Sequence, residues 1–363
     1  MQVVGKHTEL SEYKKRAARR LILGFEGTNF PTEMRNWKEL PAGYILFQRN
    51  IESTEQVFEL NKVIQAFHPL SIRSVDQEGG RVRRIKTTNW PRMRYVGQEN
   101  NIEKTKHLAT LMAEELLALG FTTNWAPICD VDSNPANPVI GDRSFSNTPN
   151  EVSKHVVAFI NSMQTRGISC SAKHFPGHGD TDIDSHFDLP VVHKERKDLD
   201  TIEFPPFREA IATGVHFVMT AHVLFPNIDP EHPATMSSKI IRNILREEFR
   251  YDGLIVSDDM EMKAVRGRYP LEYQLEQSTN AGVDLFLMCK EHDLQQEAFE
   301  ILVKKQEQSS DFAYLCHLSC QRLQKYLDNR QNITPTISIP SLSVVGSESH
   351  RICADIFNNH HVV

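Results

Sequence analysis

Short apolar runs alternate along the chain with longer stretches in which apolar residues recur every three or four positions. The runs Leu21–Phe25, Gly43–Phe47, Leu70–Asp76, Thr122–Ala126, Ser169–His174, Phe217–His222, Leu254–Asp258 and Asp284–Met288 read as strands. Residues 103–119, 149–166, 201–213 and 271–281 read as amphipathic helices. The stripe Leu108, Leu111, Met112, Leu116 and Leu119 in the first of these is core rather than a functional face. Strands that alternate with helices imply a parallel sheet with crossover helices. Eight of them over about 270 residues fit a (β/α)8 TIM-type barrel better than an open, doubly wound sheet. No nucleotide-binding glycine fingerprint follows any strand, because Gly79-Gly80 and the Gly177/Gly179 pair have the wrong spacing. Residues 293–328 read as one or two helices that close the barrel. This gives a single barrel domain over 1–330 and a C-terminal extension over 331–363, rich in Ser, Thr, Pro and Ile. The extension is expected to be loosely ordered or to form a strand docked on the barrel or on a partner.

Composition narrows the class. The chain has 363 residues, 40% hydrophobic and 24% charged, as an ordinary globular protein does. With 41 Lys and Arg against 47 Asp and Glu, the net charge of −6 offers no field for nucleic acid or an anionic membrane surface. No apolar run approaches the roughly 18 residues of a membrane span. The start, Met1 to His7, lacks the basic-then-apolar pattern of a secretion signal, so a cytoplasmic location is expected. The six cysteines, at 129, 170, 289, 316, 320 and 353, are scattered as buried thiols in a reducing compartment would be. Cys316 and Cys320 lie at helical spacing without a second pair and read as packing residues. Trp125 is expected in the core, with stacking on a sugar as the alternative. A monomer is expected.

The chemistry lies where the strands end. In a (β/α)8 barrel the C-terminal strand ends form the active site, and here they carry Asp76, Glu78, Asp130, Lys173, His174, His222, Asp258 and Asp259. A single carboxylate in such a place is most simply a helix cap. Five convergent ends with ionisable groups are not, since burying each charge costs several kcal/mol unless it is paired or bound. The densest segment, KHFPGHGDTDIDSHFDLP at 173–190, holds His174, His178, His186 and four aspartates. Its spacing matches no compact metal motif. Asp184-Ser185-His186 places a carboxylate beside an imidazole and can serve as a general acid/base near neutral pH. His178 and Asp180 are expected to shape the loop. Asp258, delivered by an apolar strand among Lys173, Arg81 or Arg143, would stay ionised and could attack an electrophilic carbon. A structural aspartate in an ion pair is the competing reading.

The segment KHFPGHGDTDIDSH at 173–186 resembles the signature of the β-N-acetylglucosaminidases of glycoside hydrolase family three that act in bacterial cell-wall recycling. SVDQEGGRV at 74–82, NPVIGDRSF at 137–145, TAHVLFP at 220–226, PATMSS at 233–238 and GLIVSDDMEM at 253–262 match the same family in the same order. The resemblance runs from about Leu21 to Met288 and leaves the tail uncovered. It implies a (β/α)8 barrel and a retaining exo-glycosidase. Asp258 matches the nucleophile, and His186 with Asp184 matches the acid/base dyad. Asp76, Arg143, Lys173 and His174 match the groups that bind N-acetylglucosamine. Arg81 belongs to the motif too, either binding sugar or holding Asp76 or Glu78 by an ion pair. The implied substrate is a small sugar, the N-acetylglucosaminyl-1,6-anhydromuramyl peptide released from peptidoglycan, with no metal or organic cofactor. A phosphorylase on the same scaffold and a non-catalytic amino-sugar sensor are the alternatives, and a metal-dependent hydrolase using the His/Asp loop is the outsider.

Overall fold

The computed structural model describes residues 2–37, 39–182, 189–333 and 338–359. Eight parallel strands close on themselves: β1 Leu21–Leu23, β2 Gly43–Leu46, β3 Ile72–Val75, β4 Thr123–Asn124, β5 Ser169–Phe175, β6 Phe217–Thr220, β7 Leu254–Asp259 and β8 Leu285–Met288. Each pairs with its sequence neighbours, and β8 closes the ring onto β1 through Leu21 opposite Phe286 and Leu23 opposite Met288. All eight expected strands are present, so the fold is the closed barrel and not the open sheet. The expected helices stand at Ile102–Ala118, Pro149–Thr165 and Leu271–Ala281. The stretch 201–213 instead splits into Arg196–Thr201 and Phe204–Ala212. Pro205 and Pro206 explain the break, because proline lacks the N–H a helix interior needs but is tolerated in a first turn.

Side chains alternate across a strand with a period of two, and that period sorts the barrel. Ile22, Ile45, Ile72, Trp125, Phe217, Met219, Leu254, Val256, Leu285 and Leu287 form one buried cluster inside it. The other parity, including Leu21, Leu23, Leu46, Val75, Val218, Ile255, Phe286 and Met288, joins the larger cluster beneath the helices. Trp125 is fully buried against Phe217 and belongs to the core. The two closing helices are His292–Gln308 and Ser310–Ile333. The second plugs the N-terminal end of the barrel with Leu323, Tyr326 and Leu327, and Tyr326 Oη lies 2.8 Å from Ser169 Oγ on β5. All six cysteines are unpaired, and Cys316 is buried where its Sγ accepts from Arg20. Among the described residues no helix is long and apolar enough to cross a membrane.

The tail corrects the sequence reading. Its described part holds no strand: after a short 3-10 turn, Leu342–Val344, it forms the helix Glu348–Asn359, which packs on the barrel helix Ile102–Ala118 with His350, Cys353, Ala354 and Phe357 buried. Its anchor is Glu115, 99% buried in the barrel helix. Glu115 Oε1 accepts from Gly346 N at 2.9 Å, from His350 Nδ1 at 3.0 Å and from the Thr88 hydroxyl, and Oε2 accepts from Trp90 Nε1 at 2.8 Å. One carboxylate thus satisfies three buried donors, on Thr88, Trp90 and His350, and the half-buried Gly346 amide. Glu115→Ala should therefore destabilise the protein by about 3 kcal/mol, read as a lower urea midpoint. Glu115→Gln, which keeps one acceptor oxygen, should lose less. Equal stability of all three proteins would refute the anchor.

Candidate active site

The inward parity that fills the barrel with apolar side chains changes character at the mouth. Ile72 and Ser74 lead to Asp76, Ser169 and Ser171 to Lys173, Leu254 and Val256 to Asp258, and Leu285 and Leu287 to Cys289. These ends converge on one pocket lined by Asp76, Glu78, Arg84, Arg143, Lys173, His174, His178, Asp258 and Asp259, with Phe47, Met219, Met262 and Cys289 among its apolar walls. Of the residues expected from sequence, Asp76, Arg143, Lys173, His174 and Asp258 are brought together here. Asp184 and His186 lie outside the described residues.

Lys173 is the hub. It is 98% buried, and its Nζ lies 2.8 Å from Asp76 Oδ1 and 2.6 Å from Glu78 Oε1. Burial would push the ammonium down, but the two carboxylates outweigh it and hold its proton more tightly than usual. Glu78, equally buried, accepts a two-pronged bond from Arg143 with both contacts at 2.9 Å. Burial would raise its carboxyl, yet Arg143 and Lys173 keep it far below the ordinary carboxylate range. Arg143 therefore builds the wall by holding Glu78 while its guanidinium faces the pocket. Arg84 Nη2 approaches Asp76 Oδ2 at 3.4 Å, and its guanidinium lies 5.5 Å over the Phe47 ring.

Arg81 stands apart. It is absent from the pocket wall, half-exposed, 3.4 Å from Asp142 and bonded to the carbonyl of Val139. It holds neither Asp76 nor Glu78. The reason is a hairpin, Gln77–Gly79 with Val82–Arg83, that reverses the chain after β3. Gly79 and Gly80 turn with φ of +106° and +56°, and a Cβ on Gly79 would sit 2.3 Å from the carbonyl of Pro91. The reversal leaves Arg81 at the tip and returns Arg84 to Asp76. A Gly-Gly pair between two short polar strands was the signal that could have distinguished the two arginines.

Asp258 sits differently from its neighbours. Its Oδ1 accepts the Asp259 amide at 2.8 Å, the one hydrogen bond to this carboxylate among the described residues. Burial would raise its carboxyl, but His174, His222, that amide and Lys173 together hold it below the ordinary value. These groups, rather than Arg81, keep it ionised. His222 is buried with Nε2 donating to the carbonyl of Asp259 at 3.0 Å and Nδ1 2.9 Å from Thr235 Oγ1. The adjacent Asp259 is pushed up to about 7 by burial, by Glu261 and by Asp258 itself. Its protonation in mild acid removes a negative neighbour and favours an ionised Asp258.

The 174–182 segment begins on Asp130, which is fully buried and caps no helix. It accepts from His174 N, from the His174 ring and from His178 N. His178 is pushed down to about 4, by burial first and by His174 next, so its ring is neutral at pH 7. Its Nδ1 lies 2.8 Å from Thr181 Oγ1, and Asp180 lies 3.6 Å from Lys194, in keeping with loop-shaping roles. The Lys173–His174 and Phe175–Pro176 peptide bonds are cis. Among the described residues no group of three or more His, Cys, Asp or Glu is placed to hold a metal ion.

The barrel mouth thus joins a carboxylate held ionised at a strand end to a dense polar wall of Asp76, Glu78, Arg143 and Lys173. Comparisons with known proteins identify the family. Residues 29–313 match the glycosyl hydrolase family 3 N terminal domain. A beta-hexosaminidase of Nitrosomonas eutropha is 38% identical over 315 residues, which span 83% of this chain and 89% of that protein. The structure of a glycoside hydrolase family 3 beta-N-acetylglucosaminidase from Paenibacillus sp. str. FPU-7 superimposes with a TM-score of 0.88 at 34% identity, over 95% of this chain and 68% of that one. NagZ from Neisseria gonorrhoeae, in complex with N-trifluoroacetyl-D-glucosamine, gives 0.69 at 28% identity over 82% of this chain and 97% of that one. The chain belongs to glycosyl hydrolase family 3 and is a glycoside hydrolase.

Proposed function

We propose that this enzyme is a retaining exo-β-N-acetylglucosaminidase that works through a glycosyl-enzyme on Asp258. The observation that carries the reading is the contrast among the pocket's carboxylates. Glu78 is locked in two prongs by Arg143 and bonded to Lys173. Asp76 is bonded by Lys173 and Arg84. Asp258 is ionised yet held only by a backbone amide among the described residues, so it keeps lone pairs for attack.

In the first step an Asp258 oxygen forms a bond to the anomeric carbon as the glycosidic C–O bond breaks. The leaving oxygen takes a proton from His186, whose ring Asp184 orients. In the second step the now neutral ring removes a proton from water. The hydroxide attacks the anomeric carbon, and Asp258 departs as carboxylate. Asp76, Lys173, His174, Arg143 and Arg84 bind hydroxyl groups of the terminal sugar by charge-assisted hydrogen bonds, and no cofactor takes part. The names of the relatives support an amino sugar in that place. The resemblance to the cell-wall-recycling branch supports N-acetylglucosaminyl-1,6-anhydromuramyl peptide as the natural substrate and a cytoplasmic, monomeric enzyme.

4-Nitrophenyl β-N-acetylglucosaminide should be cleaved and the matching β-glucoside left nearly untouched, with EDTA changing neither rate. Added phosphate should yield free sugar and no sugar 1-phosphate; accumulation of the phosphate ester would convert the reading to a phosphorylase. Asp258→Asn should lower kcat by ~10³-fold or more with an unchanged melting temperature, and near-normal turnover would remove the nucleophile assignment. His186→Ala should cost ~10²-fold or more on a disaccharide but little on an activated aryl glycoside; equal losses on both would count against an acid role. Because Asp258 is held below the ordinary carboxylate value, its protonation should cost kcat/KM nothing as pH falls from 7 to about 4. An acidic limb within that range that shifts in Asp258→Glu would contradict this.

A further inference from the structure

Asp130 lies behind the pocket wall, touches no reacting atom in the mechanism above, and is nevertheless the most heavily used carboxylate in the site. It is fully buried at the end of the chain segment that follows β4. Its Oδ1 accepts from His178 N at 2.7 Å and from His174 N at 3.1 Å. Its Oδ2 shares the His174 amide at 3.1 Å and lies 2.8 Å from His174 Nδ1. The backbone of residues 174–178 is therefore wrapped around one carboxylate.

We propose that Asp130 is a positioning residue: it fixes the His174 ring with its Nδ1–H toward Asp130 and its Nε2 toward the sugar, and it ties that ring to the root of the loop leading to Asp184 and His186. The inference rests on the retaining-glycosidase reading and adds to it the group that orients the sugar-binding imidazole.

The proton assignment follows from the bonding pattern. Two backbone amides donate to this carboxylate and reach both of its oxygens, which favours the ionised form. The imidazoles of His174 and His178 and those bonds also hold it below its ordinary value despite burial. An ionised carboxylate can only accept, so the His174 Nδ1 facing it must carry a proton. The opposite ring atom, Nε2, is then the one left to the pocket that His174 lines, where the ring also acts on Asp258. The loop root is gripped from other sides too. Asn137 Nδ2 donates to the carbonyl of His178 at 2.8 Å. A Cβ on Gly179 would lie 1.6 Å from the carbonyl of Val131, so the backbone there lies against Val131 with no room for a side chain. The ring and the 174–178 backbone share one anchor, so an error at Asp130 reaches the orientation of the His174 ring.

Two measurements test this. In ligand-free wild-type enzyme labelled with 15N-histidine, the His174 ring, assigned by its loss in His174→Gln, should show a protonated Nδ1. A neutral ring with its proton on Nε2 and a bare Nδ1 would overturn the proposal, and this result depends on no substrate. Asp130→Asn presents the ring with an N–H donor or a neutral acceptor and so releases the tautomer. It should lower kcat/KM by ~10²-fold on whichever aryl glycoside the wild type cleaves. In the Asp130→Asn, His174→Gln double variant the losses should be far from additive, because both changes remove the same oriented ring. A purely structural Asp130 would lower the melting temperature and leave the two kcat/KM losses additive, which would also overturn it. If Asp130→Asn does not fold, the nitrogen spectrum of the wild type still decides.

Discussion

The site depends on one constraint: charges carried into a barrel mouth on inward-facing strand positions cannot be buried singly. Lys173 is the clearest case. Its strand places it below the solvent, where an isolated ammonium would lose several kcal/mol of hydration. Asp76, just past β3, and Glu78, in the hairpin that follows it, restore that loss at 2.8 and 2.6 Å. Arg143 then balances Glu78 from the far side. The network is close to neutral as a whole but strongly polar atom by atom. Such a surface suits a ligand covered in hydroxyl groups and carrying no charge at its anomeric end.

Within this frame the carboxylates take different work from their surroundings, although their chemistry is the same. Glu78 and Asp130 have both oxygens engaged and serve as fixed supports. Asp76 keeps part of its capacity for a ligand. Asp258 is kept ionised by imidazoles and an amide that do not clamp it, and Asp259 beside it is raised toward neutrality. Environment separates the roles, as it does wherever neighbouring carboxyls must act as base, support and nucleophile.

Much of the fold was legible in the sequence, because parallel strands buried on both faces read as apolar runs and their mouth-facing ends broke that rule with charges. Asp76, Lys173, His174 and Asp258 were found for the same reason. What was not legible depended on three-dimensional reversal or on distant partners. Arg81 and Arg84 lie in one motif, and only the turn at Gly79-Gly80 decides which returns to Asp76. Asp130 stood among the charged strand ends without a role of its own, since its partners, the amides of a later strand end, leave no trace in its own neighbourhood. The helix Glu348–Asn359 was hidden because the Ser- and Pro-rich stretch before it dominates the tail's composition, and its anchor Glu115 lies 235 residues from His350.

Everything proposed for the reaction turns on a covalent role for Asp258. Incubation with a 5-fluoro N-acetylglucosaminyl fluoride, which forms the glycosyl-enzyme faster than water clears it, followed by proteolysis and mass spectrometry, examines it directly. One added sugar is expected on the peptide containing LIVSDDM, fragmenting to Asp258. A sugar on any other residue, or full turnover of the reagent with no adduct under rapid quench, would contradict it.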